Sequence, residues 1–156
     1  MRIILSVVLL LISFNSVAKD CIVLLHGLAR SAGAMDTMQQ ALDDVGYHTV
    51  NVDYPSREHA IEELAPMVIP PALAQCRAEQ SRAIHFVTHS MGGILLRQYT
   101  QHNLIADLGR VVMMGPPNQG SQVVDNLKDV PGFEAFNGPA GMQLGTGAQD
   151  IPKQLG

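Results

Sequence analysis

The chain has 156 residues, is 47% hydrophobic and 15% charged, and carries a formal net charge of −4. That balance excludes a disordered chain, and with no basic surplus it excludes nucleic acid as a partner. The length suits one domain rather than several.

Residues 1–18 have the three parts of a secretory signal: Arg2, an apolar run over 3–14, and Ser16-Val17-Ala18. Cleavage after Ala18 is expected. The run is shorter than the ~20 residues that span a bilayer, which argues against an uncleaved anchor. Residues 19–156 then form the domain, with nine basic residues against fourteen acidic, and the expected destination is the periplasm or the medium. In that oxidising setting Cys21 and Cys76 can pair, and a disulfide is favoured over two buried thiols. Two thiolates supply only half of a tetrahedral zinc shell. The nearest histidine pair, His85 and His89, falls on an expected strand, where four residues span ~13 Å. No metal and no cofactor are expected.

Four apolar runs read as strands, at 21–25, 48–53, 84–88 and 110–114. They are near-continuous rather than alternating, which is what a parallel sheet covered on both faces requires. Between them the helical period marks 34–45, a surface helix stopped by Gly46, and 92–102. The 61–79 stretch is also helical, but Pro66, Pro70 and Pro71 predict two short helices joined by a kink. A short helix follows at 121–127, with Ser121 placed to cap its first turn. The order of strands and helices gives the fold class as α/β, an open, mostly parallel sheet with helices on both faces. From Pro131 onward six glycines and three prolines crowd 26 residues, and that segment is expected to be loop.

Ser90 sits in Thr88-His89-Ser90-Met91-Gly92, one residue away from the G-x-S-x-G nucleophile elbow. A strand that turns abruptly into a helix holds its central side chain clear of the sheet. The positions two before and two after that residue are expected to crowd each other. Gly92 meets the demand for a small residue and Thr88 does not, while Gly93 lets the helix pack close to the sheet. The first strand ends in His26-Gly27-Leu28. If 21–25 lies beside 84–88, Leu28 and Ser90 meet at a switch point of the sheet. The Leu28 and Met91 amides can then face one developing oxyanion, aided by the helix N-terminus.

Together Leu25-His26-Gly27-Leu28, Thr88-His89-Ser90-Met91-Gly92-Gly93 and Gly115-Pro116-Pro117-Asn118-Gln119-Gly120-Ser121 resemble the bacterial lipase and esterase branch of the α/β-hydrolases. The resemblance implies that Ser90 is the acylated nucleophile, that Leu28 and Met91 form the oxyanion hole, and that His26, Gly27, His89 and Gly92 build the elbow. It implies a serine ester hydrolase acting on a small-molecule ester or lipid, with transient membrane-surface contact.

In that family the triad runs serine, acid, histidine along the chain. The only histidine after Ser90 is His102, about 18 Å away by helical rise, too far to be the base. His26 is expected to order its own loop, His89 to point away, and His48 and His59 to lie off the route. Among the acids, Asp107, Asp125, Asp129 and Asp150, Asp125 reads as a helix residue and Asp150 is the least implausible partner. The base is therefore expected outside this sequence, which reads as the amino-terminal part of a longer hydrolase. Further strands would cover the apolar edge at 110–114. The alternative is a catalytically incomplete remnant that keeps an acyl-binding pocket, and transfer to an alcohol rather than water is a third outcome on the same fold.

Overall fold

The computed structural model describes residues 19–155. The expected leader, residues 1–18 with cleavage after Ala18, lies outside the described residues. β1 (Cys21–Leu25), β2 (His48–Val52), β3 (Ile84–His89) and β4 (Leu108–Met114) form a parallel sheet in the order β2-β1-β3-β4. All four expected strands are present, and β4 begins two residues earlier than its apolar run.

The pleat of β1 explains why its sequence is apolar throughout. Successive side chains point to opposite faces. Cys21, Val23 and Leu25 join the larger core, whereas Ile22 and Leu24 join a smaller one with Met35 and Val87. Both faces are covered, so no position in β1 can be polar. The smaller core lies under a 3-10 turn (Ala32–Met35) and α1 (Asp36–Asp44), a surface helix that leans Met38 and Leu42 on the sheet. The larger core is roofed by α2 (Ile61–Ala78) and α3 (Met91–Thr100).

α2 corrects one expectation: it is a single helix of 18 residues with Pro66, Pro70 and Pro71 inside it. A proline withholds the bond to the carbonyl four residues earlier, here those of Glu62, Pro66 and Met67. All three of these residues are exposed, so water can take over the lost bonds. The opposite stripe, Ile61, Leu64, Ala65, Val68, Ile69, Ala72, Leu73 and Cys76, is buried, and that burial keeps the axis continuous. A bidentate pair from Arg77 to Asp107 ties the end of α2 to the start of β4. The Arg77 guanidinium holds the Asp107 carboxyl below its ordinary range.

The segment from Pro131 is a second correction, because it is helical and packed rather than a loop. α4 (Gln122–Leu127) is followed by α5 (Phe133–Met142) and α6 (Ile151–Gln154). α5 is two turns joined at Gly138, whose φ of 66° only glycine adopts freely and whose missing side chain makes room for the Arg57 carbonyl. Ala140, Leu144, Ile151 and Leu155 enter the main core. The glycines and prolines scattered among them, at 138, 139, 141, 145, 147 and 152, hid the pattern. Ser121 takes the cap position of α4 as expected, but through its carbonyl, which accepts from Val124 and Asp125, and not through its hydroxyl. Among the described residues β4 pairs only with β3, and Val112 is 54% exposed on that open edge.

Cys21 and Cys76 are joined in a disulfide across a sequence separation of 55, with both residues fully buried. It fastens α2 to the first residue of β1. In the chain-entropy account a loop of this length contributes about 4 kcal/mol. The Cys21→Ala/Cys76→Ala variant is therefore expected to unfold in urea with roughly that loss of stability. A loss below about 1 kcal/mol would show that packing alone seats α2.

Candidate active site

The site begins at the turn from β3 into α3. Ser90 occupies φ 52°, ψ −119°, a region that a residue with a side chain enters at a cost of roughly 1–3 kcal/mol. Two backbone bonds hold it there. Its N–H donates to the Met114 carbonyl at 2.9 Å, and its own carbonyl accepts from Gly93 N–H at 3.1 Å. The side chain is half-buried, while Met91 behind it is fully buried.

The tightness of this turn comes from β1. β1 and β3 are neighbours with Leu25 opposite Thr88, so the two strand ends are adjacent. A Cβ on Gly27 would stand 3.2 Å from the Ser90 Cβ and 3.0 Å from His89 Nδ1. A Cβ on Gly92 would stand 2.7 Å from the Leu25 carbonyl oxygen and 2.8 Å from that of His26. The expected crowding of Gly92 by Thr88 is thus corrected. Gly92 is small because α3 presses on the end of β1, and Thr88 instead faces Gly93, 3.2 Å from where a Cβ would be.

Leu28 follows in a loop that β2 and its continuation grip from the side. His26, fully buried, donates from Nδ1 to the Gly27 carbonyl at 2.8 Å, since a carbonyl can only accept. Tyr54 stacks on the imidazole at 4.0 Å between centroids and donates its hydroxyl to the His26 carbonyl. The Ala29 N–H donates to Ser56 Oγ at 3.1 Å, and the Ala32 N–H to Asp53 at 2.9 Å. Asn51 Nδ2 donates to the Ala32 carbonyl at 3.0 Å. Among the described residues neither the Leu28 nor the Met91 amide donates to another group of the chain. Sequence patterns missed Tyr54, Ser56, Asp53 and Asn51, because these contacts join positions 19 to 28 residues apart.

Burial lowers the His26 pKa, the Gly27 carbonyl and Asp53 opposing it more weakly. The ring is therefore neutral at neutral pH, and the 3.7 Å approach of Nε2 to Asp53 is not an ion pair there. Nε2 is buried with no partner.

Several of the remaining histidines and acids have partners of their own. His102 lies past the end of α3, beside Leu104 and Leu108, at the opposite end of the sheet from Ser90. His48 opens β2, paired with Cys21 at that same end. His59 faces Glu63, and His85 accepts from the Arg110 N–H. His89 is exposed beside Gly27. Asp107 is paired with Arg77, and Asp129 is exposed. Asp125 binds Thr146 through both oxygens, which lowers its pKa. Asp150 accepts from Gly147 N–H. No group of three or more potential metal ligands occurs among the described residues.

Residues 22–153 match the alpha/beta hydrolase family. No curated protein matches the chain by sequence. Among solved structures the chain is similar to the mature Bacillus licheniformis lipase BlEst2, at 26% identity and a TM-score of 0.69, covering 88% of this chain and 58% of the lipase. The fold also matches Legionella pneumophila phospholipase PlaB at 18% identity and a TM-score of 0.67, over 87% of this chain and 34% of that one. A third match is an extracellular α/β-hydrolase from a Paenibacillus species, at 17% identity and a TM-score of 0.55, covering 72% and 52%. The chain thus spans less than two thirds of each of these proteins.

Two outcomes follow from the site geometry. Gly92→Ala drives a methyl into carbonyls that cannot rotate away, and is expected to lower stability by roughly 1–3 kcal/mol, measured as a lower midpoint in thermal unfolding. The depressed pKa of His26 means that the unfolded chain binds the extra proton first as pH falls. Unfolding free energy should thus keep its His26 contribution above the ordinary imidazole value of 6.5 and lose it progressively below. His26→Asn should flatten that part of the profile.

Proposed function

The chain belongs to the alpha/beta hydrolase family, and from that premise we propose that the protein is an exported serine ester hydrolase of the lipase or carboxylesterase type. As Ser90 Oγ attacks the ester carbonyl carbon its hydroxyl proton passes to a general base, and the carbonyl π electrons move to oxygen. The Leu28 and Met91 amides stabilise the charge that forms there. Collapse of the adduct expels the alcohol, which takes up the proton that Ser90 gave to the base, and leaves an acyl-enzyme. Water then releases the acid by the same steps, with the serine recovering its proton.

The observation that carries this proposal is the left-handed backbone at Ser90, held against the end of β1 beside Leu28. A non-glycine residue is kept in such a conformation only where its surroundings impose it. Two amides without acceptors on adjoining strand ends suit an anion better than a neutral group, and each is worth ~3 kcal/mol of transition-state stabilisation. Similarity to a Bacillus lipase at 26% identity supports an ester or lipid as substrate. Exposed Val123, Leu127, Val130 and Phe136 around α4 and α5 support transient contact with a lipid surface. The Cys21–Cys76 disulfide supports export, and no helix among the described residues is long and apolar enough to cross a membrane.

A fluorophosphonate probe tests the serine in the native enzyme. Labelling is expected on Ser90 and is expected to vanish in Ser90→Ala, with kcat for a chromogenic ester falling on the order of 10⁶-fold. Undiminished labelling of Ser90→Ala would overturn the assignment.

A further inference from the structure

We propose that Ser56 is a positioning residue for the oxyanion hole, an inference that rests on the hydrolase proposed above. The Leu28 N–H lies in the first of the two peptide planes that flank Leu28, and the second, joined to it through the Leu28 torsions, limits how far the first can turn. The first plane, between Gly27 and Leu28, is anchored at its carbonyl by His26 Nδ1 at 2.8 Å. In a trans peptide C=O and N–H point in opposite directions, so holding that carbonyl on the His26 side turns the Leu28 N–H to the other side. The second plane, between Leu28 and Ala29, is anchored at its N–H by Ser56 Oγ at 3.1 Å. With both planes held, the torsions of Leu28 have no freedom left.

Three features suit Ser56 to this task. It is 4% exposed, so its oxygen is shielded from competing water. Its own N–H donates to the Tyr54 carbonyl at 2.8 Å, a tight turn that aims the side chain back at the loop. Ala29, whose amide it accepts, stands at φ 54°, a conformation that an alanine leaves unless something holds it. Tyr54, two residues earlier, grips the His26 carbonyl from the same segment. The stretch after β2 thus restrains an amide on the loop after β1.

The test compares the native enzyme with Ser56→Ala, Ser56→Cys and Ser56→Thr. Cysteine keeps the volume but accepts hydrogen bonds only weakly, and threonine keeps the hydroxyl. In the alanine and cysteine variants the Ala29 amide is expected to exchange with deuterium at least about tenfold faster, and kcat to fall about tenfold with KM unchanged. That is less than the 10²–10³ of losing a donor outright. Inhibition by an alkyl boronic acid, whose tetrahedral adduct places an oxygen where the oxyanion forms, should weaken by the same factor. Threonine should restore all three readouts. Unchanged exchange at Ala29 would overturn the proposal, and so would faster exchange with kcat and boronate affinity unaltered. Failure of the underlying hydrolase reading looks different: the native enzyme itself would then escape the fluorophosphonate probe.

Discussion

The parallel pairing of β1 with β3 is the constraint on which the site depends. It sets Leu25 opposite Thr88, and from that one registration the chain ends up with two sharp exits side by side. One exit becomes the loop that carries Leu28, the other the turn that carries Ser90. The contact between them is so close that Gly92 has no room for a methyl group and Gly27 could take one only by pushing His89 and Ser90 aside. A register slip of one residue would turn every β1 side chain to the wrong core. Burial on both faces forbids such a slip, so the geometry at the strand ends inherits its definition from the hydrophobic core far behind it.

The polar contacts around the loop complete what the core begins. His26, Tyr54, Ser56, Asp53 and Asn51 each make a hydrogen bond with backbone atoms of residues 26 to 32. A loop at a sheet edge has few partners of its own, and here a neighbouring strand supplies them. The neutral, buried imidazole of His26 is part of that scaffold, donating from Nδ1 to the Gly27 carbonyl and stacked under Tyr54.

Local features were legible in the sequence because they follow from local rules. The four strands showed as apolar runs, and the turn at Ser90 was marked by Gly92 and Gly93. The continuous α2 was not legible, since three prolines signal breaks unless their exposure is known, and exposure is a tertiary property. Residues after Pro131 hid their helices because glycines and prolines interrupt them, and because two of the core-facing side chains, Leu144 and Leu155, lie outside α5 and α6. Ser56 and Tyr54 carried no signal at all. A serine and a tyrosine in a Pro-containing loop are unremarkable until β2 is known to lie next to β1. The reason for Gly92 was also misjudged from the pentapeptide alone, because the atoms that exclude a side chain there belong to Leu25 and His26.

The three prolines of α2 have a consequence beyond the helix itself. Each proline ring fixes one backbone torsion in the unfolded chain as well as in the folded one, at a value the helix already uses. The denatured ensemble therefore starts with fewer conformations to surrender, and the entropy cost of ordering this stretch is smaller than its 18 residues suggest. The same rings forfeit three amide donors on the wet side. α2 thus adds to the burial of its apolar stripe a smaller entropic cost of ordering.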